Sequence, residues 1–62
     1  MYIILWDDGE TEYYAIRKDL LHRIYFLQTY CGYRFGRDYQ VAKLLDGVTI
    51  HYDTIPDLHE IV

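Results

Sequence analysis

The stretch Asp38-Tyr39-Gln40-Val41-Ala42-Lys43-Leu44-Leu45-Asp46-Gly47 decides the fold, because it fits two different elements. As a helix it has an aspartate at its N-cap, an apolar stripe of Val41, Leu44 and Leu45, and a glycine at its C-terminal cap. As a strand it joins the β-branched residues 48–54 through Asp46-Gly47, a dipeptide suited to a tight hairpin. Comparing the chain with itself pairs Asp8 with Asp46, Gly9 with Gly47, Thr11 with Thr49 and Tyr14 with Tyr52, and this match favours the hairpin. Two copies do not make a repeat architecture, however, and the strong helix formers tip the reading to a second short helix over 38–45.

The elements on either side are easier to read. Tyr2 to Trp6, then Asp7-Asp8-Gly9-Glu10, then Thr11 to Ile16 spell strand, turn, strand, with the glycine supplying the positive φ of the turn. Adjacent Tyr13 and Tyr14 must point to opposite faces of the second strand. From Lys18 to Cys31 the period changes: Leu20, Ile24, Leu27 and Cys31 recur at helical spacing, Asp19 complements the first turn, and Gly32 provides a left-handed stop. Val48, Ile50 and Tyr52 alternate with Thr49, His51 and Asp53, which predicts a half-buried strand over 48–54. Pro56 ends regular pairing, and residues 57–62 form at most a short turn or tail. The predicted architecture is α+β: a small antiparallel sheet, made of the N-terminal hairpin and the strand near 48–54, is packed by one main helix near 18–31.

The chain has 62 residues, 52% of them hydrophobic and 26% charged, with one proline; this describes a single domain, 1–62. At that size the core is close to the lower limit of stability. The lone Cys31 offers no internal disulfide. The apolar run at the N-terminus is stopped by Asp7 and Asp8 without a basic flank, and no apolar run is long enough to span a bilayer; the expected location is cytoplasmic.

Gln40-Val41-Ala42-Lys43-Leu44-Leu45 followed by Gly47-Val48-Thr49 resembles the first helix and turn of bacterial helix-turn-helix proteins. The likeness covers about ten residues and departs from the family by inserting Asp46 into the turn. What would be the recognition helix contains Pro56 with Asp53, Asp57 and Glu60, a composition that cannot enter a major groove favourably, so no DNA-reading residue is carried over.

Charge is segregated along the chain. Residues 1–16 hold Asp7, Asp8, Glu10 and Glu12 and no cation; residues 17–38 hold Arg17, Lys18, Arg23, Arg34 and Arg37 against Asp19 and Asp38; residues 39–62 return to acid, and the net charge is -4. No nucleophile elbow, phosphate loop or zinc spacing is present, and His22, His51 and His59 match no metal motif, so neither an enzyme nor a cofactor or metal site is expected.

Two function classes follow. The first is a small acidic protein-interaction module, an inhibitor or modulator that sets Asp7, Asp8, Glu10 and Glu12, with Tyr13 and Tyr14 beside them, on a basic, nucleic-acid-binding surface of a partner protein. The second uses Arg17, Lys18, Arg23, Tyr33, Arg34, Phe35 and Arg37 to hold single-stranded nucleic acid, guanidinium on phosphate and ring on base. The acidic balance of the whole chain disfavours the second. Eight tyrosines suit an interface. The first strand is apolar on both faces, with Tyr2, Ile4 and Trp6 on one and Ile3 and Leu5 on the other, which predicts a homodimer through it.

Overall fold

A computed structural model of the chain describes residues 1–58. Tyr2–Trp6 forms strand β1 and Thr11–Tyr14 strand β2, paired antiparallel with Tyr2 opposite Tyr14 and Leu5 opposite Thr11. The Trp6 N–H donates to the Glu10 carbonyl at 2.9 Å and the Gly9 N–H to the Trp6 carbonyl at 3.1 Å. Asp7-Asp8-Gly9 is thus a three-residue connection closed by Gly9 at φ 93°, where a side chain would be strained. Asp8 Oδ1 accepts the Glu10 N–H at 2.9 Å and ties the turn further.

The stretch with two readings is a strand, which corrects the second short helix expected over 38–45. Tyr39–Leu45 forms β3, and a two-residue turn leads into β4, Val48–His51. The strands pair antiparallel in the order β2-β1-β3-β4. Asp46 at φ 52° and Gly47 at φ 79° give the turn positive φ at both central positions, the geometry that matches strand twist. Asp38 caps no helix: its carboxylate accepts the Arg34 N–H at 2.7 Å and closes the loop ahead of β3. The likeness to a helix-turn-helix therefore covers a β-hairpin and carries no function.

An interior strand buries both faces, so its apolar residues need not alternate with polar ones. Val41 and Ala42, neighbours on opposite faces of β3, are both fully buried. The strand expected over 48–54 stops at His51, although the Tyr52 N–H still donates to the Val41 carbonyl at 2.9 Å. Ile55 and Leu58 then pack on the core, and the end of the predicted tail, with His59, lies outside the described residues.

Arg17–Phe26 forms α1 and continues into a π-helical turn, Leu27–Cys31, so the helix expected near 18–31 is present. Leu20, Leu21, Ile24 and Leu27 are buried; Cys31, expected on the same stripe, is exposed because the wider turn takes it off the buried face. Gly32 at φ 73° ends the helix, and the Leu27 carbonyl accepts from both Gly32 and Tyr33. At the other end Ile16 occupies the N-cap and gives no side-chain cap, leaving Asp19 to complement the first turn. α1 lies on β1 and β2, and the core is Ile4, Leu20, Ile24, Leu27, Tyr39 and Val41.

This arrangement bears on the expected dimer. β1 lies between β2 and β3, so neither of its edges is open to a second copy. Its outer-face Ile3 is only 8% exposed and Ile4 is covered by the helix, while Tyr2, Leu5 and Trp6 stay partly exposed. Among the described residues no helix is long and apolar enough to cross a membrane.

Candidate functional site

Trp6, at the end of β1, and Glu12, one residue into β2, lie on the sheet face that α1 covers. Arg23, from the last turns of α1, meets them there. The Glu12 carboxylate accepts the Trp6 indole N–H at 2.7 Å, the Tyr14 hydroxyl, and a two-pronged contact from Arg23, whose Nε and Nη2 lie 3.0 and 3.2 Å from its two oxygens. Burial works against the charge on Glu12, but the hydrogen bonds from Arg23, Tyr14 and Trp6 outweigh it and hold the carboxyl below its ordinary pKa. The Tyr14 hydroxyl moves the other way, pushed up to about 12 by burial and by its bond to Glu12. Arg23 is raised above its usual value chiefly by the Glu12 hydrogen bond. A carboxylate saturated by four donors and a tyrosine that keeps its proton form a latch between hairpin and helix, with no spare lone pair aimed at a substrate.

The two sets of site residues read from the sequence are therefore not separate. Glu12 and Tyr14 from the acidic set and Arg23 from the basic set bind one another. Asp7, Asp8 and Glu10 remain exposed in the turn, and among the described residues no cation lies within ion-pair distance of them. Tyr13 points to the opposite face of the sheet and is 65% exposed.

In the basic set, Arg37 donates from Nε and Nη2 to Asp38 Oδ2 at 3.2 and 3.0 Å. The Arg34 N–H and the Arg37 side chain together hold the Asp38 carboxyl below its ordinary pKa. Arg17 Nη1 donates to the Tyr52 hydroxyl at 3.4 Å. The rings of this set contact the sheet aromatics: Tyr33 stands edge-on to Trp6 with centroids 5.1 Å apart and stays exposed, while Phe35 packs on the core edge-on to Tyr39 at 6.0 Å. Lys18 and the Arg34 side chain stay exposed, without an ion-pair partner among the described residues.

A shallow cleft of about 360 Å³ opens beside the latch. Trp6, Phe26, Leu27 and Tyr33 give it apolar walls, while Asp8, Glu10 and the Glu12–Arg23 pair give it charge. The guanidinium of Arg23 sits 5.6 Å from the centre of the Phe26 ring. Sequence reading placed Phe26 in no site and Trp6 only on the strand face expected to dimerise; the packing of α1 across the hairpin brings the two together. Next to the cleft, Phe26 contacts Tyr30 at 5.6 Å and Tyr25 contacts Tyr30 at 6.5 Å, and all three rings are exposed. Among the described residues no three His, Cys, Asp or Glu side chains converge as metal ligands would. Comparison with protein families, with curated proteins and with solved structures finds no match.

Proposed function

We propose that the chain is a small acidic protein-interaction module whose hairpin turn docks on a basic surface of a partner protein. One observation carries the reading: Asp7, Asp8 and Glu10 stand together in a stiffened, exposed turn with no paired cation among the described residues, whereas Glu12 and Asp38 are neutralised within the fold. A fixed group of carboxylates next to apolar rings supplies both the long-range attraction and the anchoring that a protein interface needs. Where the partner's basic surface binds nucleic acid, occupying it makes this chain an inhibitor or modulator. Catalysis is not part of the proposal, because Glu12 and Tyr14, whose pKa values are shifted in opposite directions, are hydrogen-bonded to each other.

The test compares the wild-type chain with a variant carrying Asp7→Asn, Asp8→Asn and Glu10→Gln. The wild type should retain from its host extract a protein rich in surface Lys and Arg, and release it as salt is raised; the variant should retain none of it. Undiminished retention by the variant refutes the reading. Fluorescence anisotropy with single-stranded DNA and RNA at low salt should show no binding; salt-sensitive binding lost on Arg34→Ala with Arg37→Ala would replace this proposal with the nucleic-acid reading.

A further inference from the structure

The acidic turn explains attraction but not the cleft beside it. Asp8 and Glu10 belong to both, and the cleft adds Trp6, Phe26 and Tyr33. Tyr33 and Phe26 are each more than two-fifths exposed, a large amount of ring surface for so small a domain to leave in water. Within the cleft two carboxylates, Asp8 and Glu10, have no counter-charge among the described residues, while the third, Glu12, is neutralised by Arg23. What fits such a place is cationic, elongated and able to lie against a ring.

The fold holds an internal example of that recognition. The guanidinium of Arg23 lies near the Phe26 ring and is gripped by both oxygens of Glu12. A planar guanidinium can stack on a ring and pair with a carboxylate at once, whereas an ammonium is a compact, strongly hydrated charge. Resting on the reading of the acidic turn as the docking edge, we infer that the cleft between that turn and the end of the helix receives an arginine side chain of the partner protein. Its guanidinium pairs with Asp8 and Glu10, and its stem and plane lie against Trp6, Phe26 and Tyr33. The exposed Tyr25 and Tyr30 continue the ring surface outward, where the residues flanking that arginine would lie.

Trp6 is the single tryptophan of the chain and lines the cleft, so it reports occupancy directly. Blocked Arg-Gly-Arg, Lys-Gly-Lys and citrulline-Gly-citrulline peptides are titrated into the full chain while Trp6 fluorescence and the indole N–H cross-peak are followed by NMR. The arginine peptide should move both signals saturably, the lysine peptide should bind more weakly, and the uncharged citrulline peptide should leave them unmoved. Phe26→Leu and Tyr33→Leu, each confirmed as folded by circular dichroism, should each weaken arginine-peptide binding roughly two- to fivefold, the loss of one exposed cation–π contact.

If the arginine peptide binds, weakens on neutralising Asp7, Asp8 and Glu10, yet leaves Trp6 unmoved and ignores Phe26→Leu and Tyr33→Leu, the cleft inference is overturned while the acidic-turn reading stands. Equal binding of the arginine and citrulline peptides, or no binding at all, overturns the cleft inference. The retention experiment described above then judges the acidic turn on its own.

Discussion

Replacing Glu12 with alanine should destabilise the fold more than any other change of a charged residue. The substitution leaves the half-buried Trp6 N–H and Tyr14 hydroxyl without their acceptor and Arg23 without its counter-charge. The Arg23 side chain is 37% exposed and that of Glu12 24%, so water screens their attraction. Discounted for that screening, the pair contributes about 0.5–1 kcal/mol. The two neutral donors add about 1 kcal/mol each, the usual net value of a hydrogen bond that water partly replaces. The total is about 2–3 kcal/mol, against a whole-domain stability of roughly 3–9 kcal/mol for this length. With an urea m-value near 1 kcal/mol per M, the midpoint should fall by about 2 M. Circular dichroism is the appropriate probe, since Trp6 fluorescence responds to Glu12 directly. Glu12→Gln, which keeps an acceptor and loses the charge, should fall between the two. A loss below about 0.5 kcal/mol for Glu12→Ala would show that the latch is replaced by water at no cost and would refute the reasoning.

Acid should weaken the wild type through the same group: Glu12 has its folded pKa lowered from 4.5, so its contribution is present above that value and is lost as the pH falls through the lowered one, and Glu12→Gln should flatten this limb in pH-dependent urea melts. At the alkaline end Tyr14 has its folded pKa raised from 10.0 to about 12, so its contribution is full below pH 10 and lost as pH climbs through 12, a limb that Tyr14→Phe should remove. Tyr39 is 1% exposed and its hydroxyl makes no hydrogen bond among the described residues; Tyr39→Phe should raise stability by about 1 kcal/mol, and a loss of that size would mean the hydroxyl is satisfied in solution. Asp46→Val should cost about 1–2 kcal/mol because it places a β-branched residue at φ 52°, whereas Asp46→Gly should be close to neutral; equal thermal melts for the two would argue against the turn geometry.

The parts of the fold that were legible in the sequence are those in which one local signal dominates. Asp8-Gly9 between two β-rich runs specifies a hairpin, and Leu20, Ile24 and Leu27 specify a helix that Gly32 stops. Tyr39 to Leu45 reads as a helix in the sequence because its apolar residues do not alternate: β3 buries Val41 against the helix side and Ala42 on the other, and a run apolar on both faces fits a helical stripe equally well. The pairing of Asp8-Gly9 with Asp46-Gly47 did point to the second hairpin, although the two turns are of different type, with positive φ at the glycine alone in the first and at both residues in the second.

Charge was the less legible part, for a physical reason that also sharpens the function. Sequence order divides the chain into acidic and basic blocks, and from that division an acidic hairpin and a basic middle present two separate surfaces. Folding lays the helix across the hairpin, and the blocks partly cancel: Arg23 meets Glu12 across the hairpin–helix boundary, and Arg37 meets Asp38 within its own loop. Each pairing neutralises one carboxylate with one cation, although Arg37 itself stays 66% exposed. Asp7 and Asp8 in the connection and Glu10 just after it make no ion pair among the described residues, because Arg23, which reaches the same cleft as Asp8 and Glu10, is engaged by Glu12. Glu12 was counted with them as a binding residue, yet it acts as the post that fixes their position, so the two roles are separable by substitution. Glu12→Gln should lower stability and, through the uncompensated charge it leaves on Arg23 beside the cleft, weaken affinity for a basic partner less than neutralising Asp7, Asp8 and Glu10 does; neutralising those three should leave stability nearly unchanged, because the turn keeps its backbone hydrogen bonds. Urea melts and retention of the partner, measured on both variants, test this division, and a Glu12→Gln variant that melts like the wild type but releases its partner would return Glu12 to the binding surface.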